Sequence, residues 1–444
     1  MKMKVTAVTV ELNKLVDDDF TGSIKELTTK INDNPGDVEA NSELNSFLMN
    51  SCIRFCGRNA GICYASDSYD NQKIFGDVAS EERFLRTIIN THHSIADHCN
   101  ITVLFENVPK IFAMIMNSFR FYTTSEKSAR YTVMDNLSEE EAFLYNKWRM
   151  KLKDVICNDL GYHISEKQAE KIANENARYF ISVFTPATTF SYTTSFRQWN
   201  YINQWFMEFN ELNEMRNDMR PVTKRFLNQL NPLLGDFNKS FQETFIYDRL
   251  IKDPKSRRIG FLTKLYPSSI NKICDNTYYK DSYTIKYRVS FSSLAQLQRH
   301  RTIKYVINGF LLLGKPAFFI PEFIRSTPLR HEWVEDMLKV EDKFPQGMRV
   351  EVIEYGTIDD FLLKCDERLC GRVQYETMKC VSDQLLKFYK KDKLSNYYKA
   401  QVSEWIDDTS NPVKRVKSKC EMRHTGCLEG GCIHGPYKAT DRKF

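Results

Sequence analysis

Glycine and proline are scarce in this chain, 17 and 13 among 444 residues. That leaves few flexible linkers and argues for densely packed elements. Long apolar runs are missing too: no stretch reaches the roughly 18 consecutive apolar residues of a membrane-spanning helix. The opening MKMKVTAVTVELNKLVDDDF carries no signal-peptide core, so the cytoplasm is the expected compartment, with no membrane partner. A large net charge is also lacking. The balance of +6 is too small to suggest a nucleic-acid binder using a basic helix, and it permits small anionic ligands. What is present is a soluble composition, 42% hydrophobic and 27% charged, with 30 Phe and 22 Tyr, long enough for two or three domains with real cores. In a cytoplasmic chain the twelve cysteines read as buried thiols or metal ligands before disulfides. Cys52, Cys56 and Cys63 are expected to be core thiols. His163 and His331 are expected at the surface.

Alternation over VTAVTVEL predicts a strand near the N-terminus. SELNSFLMNSCIRFCG and EERFLRTIINTHHSIADH predict helices. NITVLFENVP alternates again and stops at proline, and KIFAMIMNSFRFYTT follows as a helix. Two long helices come next, one capped by Ser138 and stopped by Gly161, the other capped by Ser165. Residues 201–260 read as helical, polar and connecting. The plan then recurs: DSYTIKYRVSF is a strand, followed by a helix over SLAQLQRHRTIKY. The strand residues Thr102, Leu104, Glu106 and Val108 correspond in position to Tyr283, Ile285, Tyr287 and Val289, as a diverged duplication or by chance similarity of two strand–helix pairs. TIDDFLLKCDERLCGRVQYETMKCVSDQLLKFYKK is a long amphipathic helix or a pair of helices. The expected fold class is α+β, two copies of an antiparallel sheet with helices forming a pseudo-dimer. The expected boundaries are 1–215, a helical connector over 216–265, 266–400, and a Cys/His-rich tail over 401–444.

Two short stretches carry chemistry. In QLQRHRTIKY, Gln296, Arg299 and His300 would share a helical face, with Arg301 about 200° from Arg299. Such a run is either a basic solvated surface or a grip on an anion. In TSEKSARYT, Glu126, Ser128 and Arg130 alternate, so an extended loop would project them together. A hydroxyl beside a guanidinium suits phosphate, and a plain polar loop is the alternative. In the tail, Cys420, His424, Cys427, Cys432 and His434 offer five ligands within fifteen positions. They are candidates for a structural zinc, with metal-free thiols as the other reading.

The Gln-x-x-Arg-His-Arg run, the Ser-x-Arg-Tyr loop and the earlier His-x-Ser-x-x-Asp-His stretch together resemble the flavin-dependent thymidylate synthases (ThyX). In that family the signature and the loop lie in one domain; here they are split. SFRFYTTSEKSARY keeps the loop, but Ser118 and Phe119 stand where the first Arg and the His belong. RHRTIKYVINGFLL keeps the signature and lacks the loop. The family is a homotetramer with nucleotide sites between subunits, one supplying the signature and the other the loop. The resemblance therefore implies a nucleotide site drawn from both halves. The second half would supply Gln296, Arg299 and Arg368, the last six residues before Gln374. The first would supply Glu126, Ser128, Ala129, Arg130 and Arg178.

The same resemblance implies FAD contacts from His92, Ser94, Asp97, Ser195, Arg197, His300, Arg301 and Arg372, several of them substitutions of the family's residue. It implies one-carbon transfer from methylenetetrahydrofolate to C5 of a pyrimidine deoxynucleotide, with NADPH or another reductant and Arg368 at the ring edge. The product is thymidylate or a hydroxymethyl nucleotide, from dUMP or dCMP. Two pseudo-dimeric chains would rebuild the family's four-domain assembly. The alternative from another class is a regulatory nucleotide-binding protein that kept the phosphate grip and lost flavin chemistry.

Overall fold

The computed structural model describes residues 1–34, 37–66, 68–69, 71–89, 93–119, 121–128, 132–158, 164–211, 220–234, 282–307, 316–390, 396–407, 415–422, 440 and 442. The chain is mixed α and β, and it divides into two compact units. One comprises Met1–Val108, Ile115–Lys127 and Thr188–Phe261; the other comprises Pro109–Met114, Ser128–Ala187 and Leu262–Phe444. Neither unit is continuous in sequence. No helix among the described residues is long and apolar enough to cross a membrane.

The first unit is built on an antiparallel sheet of β1 (Lys2–Val8), β2 (Asn100–Val108), β3 (Tyr122–Glu126) and β4 (Thr188–Ser195), in the order β1-β2-β4-β3. Strand period two turns Ile101, Val103 and Phe105 of β2 inward, and all three are fully buried. Phe105 stacks on Phe190 of β4 with centroids 4.8 Å apart. Around the sheet lie α1 (Asp18–Asp33), α2 (Val38–Gly61), α3 (Gln72–Phe75) and α4 (Asp77–Ile89). Asp17 and Asp37 cap α1 and α2, their carboxylates accepting from Phe20 N and Ala40 N. The short helix α5 (Lys110–Met116) follows β2.

Over the described residues 201–211 and 220–234 the expected helices form, but they are not polar. In α8 (Phe196–Glu211) and α9 (Arg220–Leu234), Ile202, Trp205, Phe206, Phe226 and Leu230 are fully buried at helical spacing. Asn200, Asn203 and Thr223 are buried with them.

Two cysteines also depart from the thiol expectation. Cys52 on α2 and Cys99 before β2 form a disulfide, with Cα atoms 5.7 Å apart. They are 47 positions apart in sequence, and only the packing of α2 against the sheet brings them together. Cys56 is a buried thiol as expected, whereas Cys63 is exposed.

In the second unit α6 (Glu139–Cys157) and α7 (Glu166–Ala177) pack side by side, each opened by the expected cap. Both caps are reciprocal capping boxes, Ser138 with Glu141 and Ser165 with Gln168. Trp148 of α6 stacks on Phe180 at 5.8 Å and meets Trp333 edge-on at 4.8 Å. Trp333 belongs to α11 (Leu329–Lys339), beyond α10 (Phe291–Leu297) in sequence. Asp336 of α11 accepts from Lys147 Nζ at 2.5 Å and Trp148 Nε1 at 2.9 Å, which fixes the register of α11 on α6.

The sheet of this unit contains β5 (Ser282–Ser290), β6 (Lys304–Ile307) and β7 (Arg349–Thr357) in the antiparallel order β5-β7-β6. The expected late helices form as a pair, α12 (Ile358–Arg368) and α13 (Tyr375–Tyr389). His331 is exposed as expected; Gly161 and His163 lie outside the described residues.

The two sheets share a plan. In each, a strand leads through a one- to two-turn helix into a second strand, and a later strand inserts between them before running into a helix. β2-α5-β3 with β4-α8 is matched by β5-α10-β6 with β7-α12. The residue pairing read from the sequence needs one correction. Val108 and Val289 are both buried, but Thr102, Leu104 and Glu106 are on the opposite strand face from the inward Ile101, Val103 and Phe105. An irregularity between Phe105 and Val108, with Asn107 at φ 54°, shifts the phase of β2 by one residue.

Candidate functional site

The Arg-His-Arg run does not lie on a helix. α10 ends at Leu297, and Gln298 caps it. Arg299, His300 and Arg301 occupy turns, with His300 N donating to Leu297 O at 3.1 Å and Ile303 N to His300 O at 3.2 Å. β-branched residues at 302, 303, 306 and 307 favour the strand that follows. Gln298 is drawn inward, its Nε2 donating to Met114 O at 2.7 Å. The shared helical face expected for Gln296, Arg299 and His300 is thus replaced by a half-buried Arg299, a buried His300 and an exposed Arg301.

Gln296 remains on α10 and enters a polar cluster within the second unit. Its centre is Gln374, the residue that opens α13. The Gln374 Oε1 accepts from Gln296 Nε2 at 2.8 Å, from Ser292 Oγ at 3.1 Å and from Arg178 Nη2. Its Nε2 donates to Tyr179 OH. Tyr179 OH in turn donates to Glu376 Oε2 at 3.0 Å. Glu376 also accepts from Ser290 N at 2.7 Å and from Ser290 Oγ. Burial raises the Glu376 pKa from its ordinary value, while Ser290 and Tyr179 pull the other way.

Arg178 and Tyr179 are delivered by a 3-10 turn after α7. Gly347 N donates to Tyr179 O at 2.9 Å, and a Cβ on Gly347 would come within 2.9 Å of Tyr179 Cβ. Only glycine permits so close an approach. Arg368, the last residue of α12, donates from Nη2 to Gln296 O at 3.2 Å, and its side chain is 17% exposed. Burial lowers the Arg368 pKa from the arginine norm; the Glu367 carboxylate opposes this and the Arg299 charge adds to it. Its Nε is buried without a hydrogen-bond partner among the described residues. A bound anion would relieve both the mutual repulsion and the missing partner.

Gln374, Ser292, Tyr179 and Glu376 were not among the expected site residues. The sequence signal for Gln374 was its spacing from Arg368, which marks a position but not its bonds. Of the loop set, Glu126 ends β3 and is half-buried, Ser128 is half-buried, and Ala129 and Arg130 lie outside the described residues. Ser128 O accepts from Thr132 N at 3.3 Å.

Three of the expected flavin residues meet in the first unit. Asp97 Oδ1 accepts from Ser195 Oγ at 2.6 Å, and Oδ2 accepts from Arg197 Nη1 at 2.9 Å. Arg197 Nε donates to Tyr201 OH at 2.7 Å. Its guanidinium is steadied on two sides while a third of the side chain stays exposed, at 33%. Ser94 is exposed in the preceding 3-10 turn, and His92 lies outside the described residues. In the second unit Arg372 is exposed.

Residues 49–230 match the family model of thymidylate synthase complementing protein, Thy1. The Thy1 match holds Asp97, Arg178, Ser195 and Arg197, and it bears out the resemblance to ThyX over that stretch. Gln296, Arg299, Arg368 and Gln374 lie beyond the matched residues. No curated protein matches the chain. Of the tail ligands, Cys420 is exposed, and His424, Cys427, Cys432 and His434 lie outside the described residues. Among the described residues no cluster of His, Cys, Asp or Glu could hold a metal.

His300 gives a pH prediction. Burial, then the charges of Arg368 and Lys364, push its imidazole down to about 2. The unfolded chain takes up that proton near pH 6.5 and the folded chain does not, so stability is full above 6.5 and falls as pH drops toward 2. The slope from this group is about 1.4 kcal/mol per pH unit. Thermal melts of wild type and His300→Gln between pH 7 and 5 should diverge, the wild type falling more steeply. Parallel curves would show that His300 titrates normally.

Proposed function

We propose that the chain is a ThyX-like enzyme that transfers a one-carbon unit from methylenetetrahydrofolate to C5 of a pyrimidine deoxynucleotide. The observation that carries the reading is the Gln374 cluster. It joins Arg178 from the first half of the sequence to Gln296 and Arg368 from the second within one compact unit. These are complementary remnants of one family site, and a diverged tandem duplication accounts for their division between the halves. Arg178, Arg299 and Ser128 would hold the phosphate and sugar, with Glu126, Ala129 and Arg130 as the rest of the loop. Arg368 would face the base edge and stabilise the negative charge that builds on the ring as C5 becomes nucleophilic.

The residues of the first unit fit a flavin. A guanidinium held by Asp97 and Tyr201, yet partly open, is suited to a pyrophosphate. Asp97, Ser195 and Arg197, with His92 and Ser94, would hold FAD there; His300, Arg301 and Arg372 are the further flavin residues the resemblance implies. FAD, when bound and reduced, supplies the hydride and carries the one-carbon unit. NADPH or another reductant would recharge it. The product is thymidylate or a hydroxymethyl nucleotide, and dUMP or dCMP is the substrate. The assembly would be a dimer of pseudo-dimers, and a zinc in the tail is a separate proposal.

Purified protein should be yellow and bind deoxyuridylate. Arg368→Ala should lower turnover about 10²–10³-fold, the loss typical of a donor aimed at developing charge. Ser128→Ala should weaken equilibrium binding of deoxyuridylate about tenfold, the worth of one hydrogen bond to a charged group. Unchanged turnover in the first variant, or unchanged affinity in the second, removes that residue from the site. The second reading, a regulatory nucleotide binder, is favoured by Ser94, Asp97 and Ser195 standing where the family has other residues. A colourless protein that binds deoxyuridylate and takes up no added FAD would select it.

A further inference from the structure

A cavity of about 490 Å³ in the second unit is not used by the proposed reaction. It lies between β5, residues 318–330 and the exposed side of α13. Six cations line it: Arg288, Arg325, Arg330, Arg349, Lys379 and Lys387. Only three carboxylates accompany them, and each is engaged. Glu322 pairs with Arg325 at 2.9 Å, Asp383 pairs with Lys379 at 3.3 Å, and Glu376 is bound by Ser290 and Tyr179. Among the described residues Arg330 and Lys387 have no carboxylate partner, while Arg349 lies within the field of the buried Glu376 carboxylate. Arg349 donates one bond, from Nη2 to Arg288 O at 2.8 Å, and its Nε is buried with no partner. Two uncompensated cations, and an excess of six cations over three carboxylates around a concave, partly apolar space, concentrate positive potential there.

The lining also carries an aromatic wall, Phe318, Phe319 and Tyr375. Guanidinium and ammonium groups and aromatic rings lining one cavity suit a ligand that is anionic at one end and planar at the other. The volume falls within the range of small-molecule sites, about 300–1,000 Å³. We propose that this cavity is a second ligand site, for a nucleoside phosphate. Arg330, Arg349 and Lys387 hold the phosphates and the aromatic wall holds the base. It borders the Gln374 cluster: Glu376 belongs to that cluster and lines the cavity, as does Tyr375, and both follow Gln374 directly in the chain. A ligand here therefore bears on the first turn of α13, and through it on the orientation of Arg178. The binding claim stands whether or not the chain has the activity proposed above.

The test is equilibrium dialysis of the full chain against labelled dTTP, with inorganic pyrophosphate as competitor. Arg330 and Lys387 are both exposed, so Arg330→Glu combined with Lys387→Glu should leave the fold intact by circular dichroism. Expected is a dTTP site weakened at least about 30-fold in that double variant, retained in Arg368→Ala, and displaced by pyrophosphate only at much higher concentration. Asp383→Asn, which removes a carboxylate from the same rim, should bind at least as tightly as wild type. Undiminished binding in the double variant overturns the proposal. So does loss of all dTTP binding in Arg368→Ala, which would assign the nucleotide to the Gln374 cluster. Pyrophosphate binding as tight as dTTP would also overturn it, since the aromatic wall would then recognise nothing.

Discussion

Lys364→Ala should destabilise the second unit by about 3–5 kcal/mol, the usual cost of stripping one partner from a buried ion pair. Lys364 on α12 and Glu354 on β7 are both fully buried and paired. Glu354 sits at an inward position of β7, between Val352 and Gly356, where strand period leaves no route to water. Its carboxylate also accepts from Tyr283 OH at 2.5 Å and Tyr287 OH at 2.6 Å, and Lys364 donates to Gln384 Oε1 at 2.8 Å. Removing the ammonium leaves an anion that two phenols cannot neutralise. The double variant Lys364→Met with Glu354→Gln should recover most of the loss, because the charges vanish together while shape is nearly kept. Thermal melts followed by circular dichroism decide it. A single variant as stable as wild type would mean water reaches Glu354. The pair also ties α12 to the sheet, and α12 ends in Arg368, so the cluster's guanidinium depends on this anchor.

The second large effect is at Gln374. Gln374→Leu keeps the volume but removes the acceptor shared by Arg178, Ser292 and Gln296 and the donor to Tyr179. Losing a hydrogen bond to a charged group costs about 1.5–3 kcal/mol, and here the released guanidinium is one that would hold the ligand. Deoxyuridylate affinity should fall about 100-fold, with the fold retained. Gln374→Glu should also weaken binding. It would pair tightly with Arg178 while setting a second carboxylate beside Glu376. Isothermal titration of both variants is the measurement. Affinity within about twofold of wild type for Gln374→Leu would show that the cluster is only structural.

What the sequence disclosed, and what it hid, follows range along the chain. The caps at Ser138 and Ser165 were legible because a capping box is complete within four residues. β2 and β5 were legible from their alternation. The helix over QLQRHRTIKY was read too long because its stop is tertiary: Gln298 bonds to Met114, 184 positions away. The phase of β2 was misjudged because one bulged position inverts every face before it. Arg178, Gln296 and Arg368 were named from the resemblance, yet the amide that unites three of their segments was not. Its bonds span 78 and 196 positions and leave no local pattern. The strand over RVEVIEYG, its inward Glu354 and the ammonium partner Lys364 were not read from the sequence at all.

One consequence follows from Trp148 and Trp333 sharing a core although 185 positions separate them. A gene cut in the middle would yield fragments that each expose half of that aromatic junction. Neither should be soluble when expressed by itself, and co-expression should rescue both. If the chain arose by copying, its two copies have become hostages to each other, and the ancestral unit can no longer be recovered by deleting either one.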